Sequence, residues 1–206
     1  MRRRPAIYGL DIETDTTING LDSTVAAIVT VALAGNGYEE TFTGPEDQLL
    51  ADLDERLDEV EPGVIATWNG GAFDLPFIAD RAARYDLPLG LHLERSSTLR
   101  TTCRASWYDH AHLDAYRVYR GDVGPALRIS CSLKSIARFV GLSPIEVDRT
   151  RIHDLSNEAL HAYAASDARL ARILAERRWA TASRSIDRVA PPHVGVARRH
   201  HPALSA

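Results

Sequence analysis

Two carboxylates one residue apart, at the edge of an apolar strand, restrict this chain more than any other feature. Ala6 to Leu10 is short, mostly apolar and β-permissive, and reads as a buried strand. Asp11 and Glu13 follow at its end, in Tyr8-Gly9-Leu10-Asp11-Ile12-Glu13-Thr14-Asp15. Residues i and i+2 of a strand share a face, so both carboxylates would project together. Like charges held close repel unless something neutralises them. Oxygen-only ligands favour a hard divalent cation, Mg²⁺ or Mn²⁺. The plainer reading is a strand that ends in a solvated acidic turn, and this stretch alone does not separate the two.

At 206 residues the chain predicts one domain, over residues 1–181, followed by a basic tail over 182–206. The tail region has Arg188, Pro191-Pro192, Arg198-Arg199 and His200-His201, and lacks periodicity, as a flexible segment does. No apolar run approaches the ~18 residues of a membrane span, so no membrane association is expected. Arg2, Arg3 and Arg4 are not followed by the apolar segment of a signal peptide. Cys103 and Cys131 are the only cysteines, which argues against a disulfide scaffold and fits a reducing, cytoplasmic setting. The net charge of -4 excludes a basic wrapper of nucleic acid, but not nucleic acid as a substrate. Lys134 is the only lysine.

After a polar turn over residues 16–23, Val25 to Ala34 and Tyr38 to Phe42 read as a hairpin around Gly35-Asn36-Gly37. Pro45 opens a helix with the stripe Leu49, Leu50, Leu53, Leu57 and Val60. Val64 to Trp68 is another buried strand. Asn69-Gly70-Gly71-Ala72-Phe73-Asp74 then makes a tight turn into a helix, with Asp74 at its start, either as a cap or as a functional acid. The stretch 87–112 gives no clear period. Its Asp109-His110-Ala111-His112 reads better as loop histidines that are solvated or satisfied than as a metal cluster. Leu113 to Tyr119 is either strand or helix. Ser132 caps a helix that Gly141 stops, and Ser156 caps the last long helix. The inward stripe of that helix is Leu160, Tyr163, Ala164, Asp167, Leu170, Ala171 and Leu174. A charge inside an apolar stripe is expensive unless paired, so Asp167 needs either a buried arginine or a functional reason. Tyr163 lies one turn before it on the same face.

Together these segments resemble the DEDD superfamily of 3′-5′ exonucleases, whose fold is related to ribonuclease H. Asp11-Ile12-Glu13 matches the first motif. Asn69 to Ile78 looks like the second, in the form carried by the exonuclease domains of family B DNA polymerases. Tyr163-Ala164-Ala165-Ser166-Asp167 matches the third, Tyr-x-x-x-Asp. The histidine of the other large branch would fall at Ala162, so the resemblance is to the tyrosine branch, DEDDy.

The resemblance implies an α/β fold, a ribonuclease H-like mixed central sheet flanked by helices. It implies two Mg²⁺ or Mn²⁺ ions held by Asp11, Glu13, Asp74 and Asp167, with Tyr163 orienting the attacking water. It implies substrate contacts from Thr14, Asn69 and Phe73, and phosphate contacts from Arg81, Arg84 and Arg177. The activity implied is release of 5′-mononucleotides from a single-stranded or frayed 3′ end of DNA, in the company of replication or repair proteins. A ribonuclease D-like exoribonuclease, and a non-catalytic nucleic-acid-binding subunit, are the alternatives.

Overall fold

A computed structural model describes residues 4–95 and 103–187. β1 (Ala6–Thr14) runs nine residues, so Asp11 and Glu13 sit inside the strand and not beyond its end. Backbone pairing extends it: Asp11 lies opposite Ala32 and Glu13 opposite Thr30 on β2 (Ile28–Gly35), with a bulge at Glu13/Thr14. β3 (Tyr38–Thr43) closes the expected hairpin. β4 (Gly63–Thr67) lies parallel to β1 on its other side.

The segment without clear periodicity forms three strands among the described residues: β5 (Leu91–Arg95), β6 (Cys103–Trp107) and β7 (His110–Asp114). The sheet order is β3-β2-β1-β4-β7-β6-β5, parallel at β1-β4-β7 and antiparallel elsewhere. The expected mixed sheet flanked by helices is therefore present.

The two faces are packed differently. Tyr8, Leu10, Ile12, Val31, Leu33 and Ile65 face one way, as period-two alternation requires. They are covered by α1 (Glu46–Glu59), through Leu49, Leu50, Leu53 and Leu57, and by α2 (Asp74–Arg84), through Leu75, Phe77 and Ile78. The opposite face is lined by small residues where β1 and β2 meet α6 (Asn157–Arg177). Ala32 and Ala34 pack on Ala164 and Ala168. Gly9 is required there, because a Cβ at that position would stand 1.8 Å from the Ala168 carbonyl oxygen. The helix thus comes close to β1 at the residue next to Asp167.

Leu113 to Tyr119 divides between two elements: β7 ends at Asp114, whose side chain caps α3 (Ala115–Gly121). α4 (Val123–Leu127) follows. α5 (Leu133–Phe139) and α6 have their expected caps, Ser132 and Ser156. A 3-10 turn covers Arg149–Asp154. Past α6 the described chain continues beyond residue 181. Ala182, at the end of α7 (Trp179–Ala182), is buried, and the Asp187 N–H donates to His112 O on β7. The rest of the expected tail, 188–206, lies outside the described residues. Among those described, no helix is long and apolar enough to cross a membrane.

Candidate metal centre and active site

Gly9, Asp11 and Glu13 share the face of β1 that meets α6, so the two carboxylates point at the helix. α6 answers with Asp167, one residue before the Ala168 that touches Gly9. Carboxylate oxygens of Asp11, Glu13 and Asp167 all lie within 4.8 Å of one another. This grouping supplies hard oxygen donors from two rigid elements, and such a set suits a divalent cation.

Asp74 stands apart from that trio but within electrostatic reach of Asp11 and Glu13. It is buried at the first turn of α2. Its carboxylate does not cap the helix from outside: the capping position is Phe73, which makes no side-chain cap bond. Its own backbone N–H and that of Ile12 on β1 favour its charged form.

The electrostatics record how costly the cluster is. Burial, then repulsion from Glu13, Asp167 and Asp74, raises the Asp11 carboxyl well above its ordinary range. Burial and the neighbouring Asp167 push Glu13 up to about 8. Burial carries Asp74 to about 7 against its backbone hydrogen bonds. Asp167 is raised too, because its burial outweighs the help it receives from Lys134, Arg149 and the Tyr163 hydroxyl. Burial and the facing acids raise Tyr163 further above its ordinary value of 10.0, so its phenol is held as a hydrogen-bond donor. Burial is the leading cause for all four acids, with mutual repulsion added at Asp11 and Glu13.

Two cations that sequence reasoning missed partly offset this. Lys134 on α5 pairs with Asp167 and sits 4.4 Å from the centre of the Tyr163 ring. Arg149, on the 3-10 turn, exerts its charge on Tyr163, Glu13, Asp11 and Asp167, yet forms no ion pair with a carboxylate among the described residues. The buried arginine considered for Asp167 is therefore replaced by a lysine from a neighbouring helix. The one signal available was compositional, a single lysine in an arginine-rich chain.

The second motif loop is pinned from below. Asn69 adopts a left-handed φ of 70° and is exposed. Its N–H donates to Asp114 Oδ1 at 2.9 Å, and Cys103 N–H donates to Gly71 O at 2.6 Å. Asp114 Oδ2, buried without a hydrogen bond, lies 3.4 Å from Arg117 Nε. Phe73 is half-buried and packs on Phe77, with ring centres 5.3 Å apart. Thr14 is buried, and its hydroxyl donates to Gly20 O at 2.6 Å.

The arginines expected at phosphates are otherwise engaged. Arg81 is buried and forks onto Glu46 at 2.8 and 2.5 Å, Arg84 donates to Thr24 O, and Arg177 donates to Val140 O. His110 and His112 are satisfied core residues: His110 meets Leu57 O and the Gly63 N–H, while His112 meets the Thr67 hydroxyl and Asp187.

Comparison with known proteins agrees with this architecture. A family model described as the RNase_H superfamily matches residues 9–155. A DNA polymerase of Archaeoglobus fulgidus is 26% identical over 133 residues, covering 62% of this chain and 16% of that protein. A DNA polymerase epsilon catalytic subunit of Arabidopsis thaliana is 31% identical over 137 residues, covering 64% of this chain and 6% of the polymerase. The chain thus spans a small part of the length of these relatives. The structure of the family B DNA polymerase from the hyperthermophilic archaeon Pyrobaculum calidifontis superposes with a TM-score of 0.76 at 20% identity, over 87% of this chain and 25% of that one. At that identity it is the fold that is shared.

Proposed function

The chain belongs to the RNase H superfamily, and from its site geometry we propose that it is a metal-dependent 3′-5′ exonuclease acting on the single-stranded or frayed 3′ end of DNA. The observation that carries this reading is the convergence of Asp11, Glu13 and Asp167 oxygens, with Tyr163 one turn before Asp167. The relatives it resembles are DNA polymerases, which favours DNA over RNA and replication or repair proteins as its company.

The donor set fits two Mg²⁺ or Mn²⁺ ions: Asp11, Glu13 and Asp167 would hold them, joined by Asp74. Bound there, the ions would supply a water of lowered pKa and positive charge to stabilise the charge that develops at the phosphate. The chain's own residues do the rest. β1 and α6 fix the carboxylates, so little reorganisation accompanies the reaction. Tyr163 keeps its proton at neutral pH and donates a hydrogen bond, which suits it to orient a water and not to act as a base. Lys134 steadies Asp167 and the Tyr163 ring. Asn69 and Phe73 stand on the loop that leads to Asp74, where a terminal nucleotide would reach them, and Thr14 follows Glu13 on β1.

The test uses oligonucleotides of one sequence in deoxy and ribo form, labelled at either end, with Mg²⁺, Mn²⁺ or EDTA. Ordered loss of 5′-mononucleotides from the 3′ end of the deoxy strand is expected, abolished by EDTA and by Asp11→Ala. Faster cleavage of the ribo strand would move the enzyme to the exoribonucleases. No metal-dependent hydrolysis of either strand would leave a nucleic-acid-binding subunit.

A further inference from the structure

β4 and β7 run parallel and end level, with Thr67 opposite Asp114, and the second motif loop starts from that edge. Behind it lies a row of polar side chains that the core has closed off: Thr67, His112 and Asp187 are all buried. Thr67 Oγ1 accepts the Gly70 N–H at 3.2 Å and stands 2.9 Å from His112 Nε2. His112 Nδ1 stands 3.2 Å from Asp187 Oδ2, and the Asp187 N–H donates to His112 O at 2.8 Å. The other Asp187 oxygen lies 3.9 Å from the exposed Arg104.

Elimination places the protons. A carboxylate oxygen only accepts, so His112 Nδ1 carries the proton toward Asp187. The Thr67 oxygen already takes the Gly70 N–H, so its own proton turns to His112 Nε2, and one donor and one acceptor nitrogen is the tautomer this requires. Every bond of the row therefore points one way, from Gly70 through Thr67 and His112 to Asp187. The order Asp-His-Thr is that of a nucleophilic triad. Thr67, however, has 0% exposure, so no substrate reaches its hydroxyl. What the row holds is a backbone N–H.

Gly70 is where such a hold matters. A Cβ there would stand 2.4 Å from Thr67 Oγ1, so only glycine lets the hydroxyl come this close. On its other side Gly70 O accepts the Leu75 N–H at 3.0 Å, inside the first turn of α2 that Asp74 opens. Asn69, the preceding residue, is held by Asp114 Oδ1. Apolar side chains at 67 and 112 would fill the same space, and replacing both partners of a buried hydrogen bond is nearly neutral for stability. A satisfied polar row adds direction, which apolar packing does not.

We propose that Thr67, His112 and Asp187 are positioning residues: they fix Gly70, and through it the first turn of α2, so that Asp74 meets Asp11 and Glu13. This rests on the exonuclease reading and adds to it which remote side chains set the second motif.

The test reads the loop and the turnover separately. Amide hydrogen exchange, followed by NMR of isotope-labelled protein, reports on Gly70. Initial rates on saturating single-stranded DNA with Mn²⁺ give kcat. Thr67→Val removes the hydroxyl and keeps the shape, and Thr67→Ser keeps the hydroxyl. In Thr67→Val, exchange at Gly70 should quicken about tenfold, the worth of one hydrogen bond, and kcat should fall by about the same factor well below the melting temperature. Thr67→Ser should recover most of both. Asp187→Ala, far from the loop in sequence, should show the same two changes at smaller size. Thr67→Val/Asp187→Ala should lose no more kcat than Thr67→Val alone, as members of one chain do. A wild-type value of either readout in either single variant, no recovery with serine, or losses that multiply in the double variant overturn the proposal. If Thr67→Val does not fold, Asp187→Ala decides by the same two readouts. Absence of DNA hydrolysis by wild type would overturn the exonuclease reading, and Gly70 exchange in the variants would still decide whether the row holds the loop.

Discussion

The two faces of the central sheet solve opposite problems with adjacent residues of one strand. Leu10 and Ile12 enter a core of large side chains from α1 and α2. Gly9, Asp11 and Glu13, their immediate neighbours, face a helix that is small where it touches them. The first face stabilises by burying apolar area, at roughly 25 cal/mol per Å². The second gives up that area to let backbones approach, and spends stability on crowded acids. Alternation along a strand is what allows nine residues to serve both ends. The lesson is that stability and chemistry are separated by a single step along β1.

The largest expected effect tests the stabilising face. Leu53→Ala removes a fully buried side chain and should cost about 2–5 kcal/mol of stability, read by denaturant unfolding. Below the melting temperature its rate of nucleotide release should match wild type. A comparable fall in rate would mean the faces are not independent.

Gly9→Ala probes the other side. The added methyl meets the Ala168 carbonyl, and α6 must retreat. Stability should fall by about 1–3 kcal/mol. Activity should fall further, on the order of 10²-fold for a shift of about an ångström at Asp167. An active Gly9→Ala enzyme would show that the close approach is not what positions the acid.

A subtler effect is in the pH dependence without metal. Folding raises Glu13 from 4.5 to about 8 and Asp74 from 3.8 to about 7. A carboxyl raised by folding opposes the folded state once it ionises. The penalty is absent below about pH 4, grows through the interval, and is complete above about pH 8. The metal-free melting temperature should therefore fall between pH 5 and pH 8, and added Mn²⁺ should restore more at pH 8 than at pH 5. A flat or rising profile would mean the cluster is already neutralised from within.

Tyr163→Phe should have the smallest effect, slowing hydrolysis about tenfold, the worth of one oriented hydrogen bond near 1.4 kcal/mol. An unchanged rate would remove the water-orienting role.

Much of this division was legible in the residues. Asp167 stood out because it interrupts an apolar stripe, and Asp11 and Glu13 because period two puts them on one face. The helices declared themselves through the caps Ser132 and Ser156 and through the leucine stripe that follows Pro45. What could not be read depended on distant partners. His110 and His112 look like loop residues until Leu57, Gly63, Thr67 and Asp187 are seen to satisfy them inside β7. Lys134 is only the one lysine of the chain until α5 is laid against α6. Arg81 offers a phosphate contact until Glu46, 35 positions away, claims it. Charges find their partners by topology, and no local period reports that.

The central claim is that the small-residue face is a cage for divalent cations. Calorimetric titration of Mn²⁺ into the metal-free protein at pH 8, alongside Asp11→Asn and Asp167→Asn, tests it most directly. Saturable binding by wild type that is lost or greatly weakened in both variants is the predicted result. Equal binding by all three proteins, or no saturable binding by wild type, would contradict it.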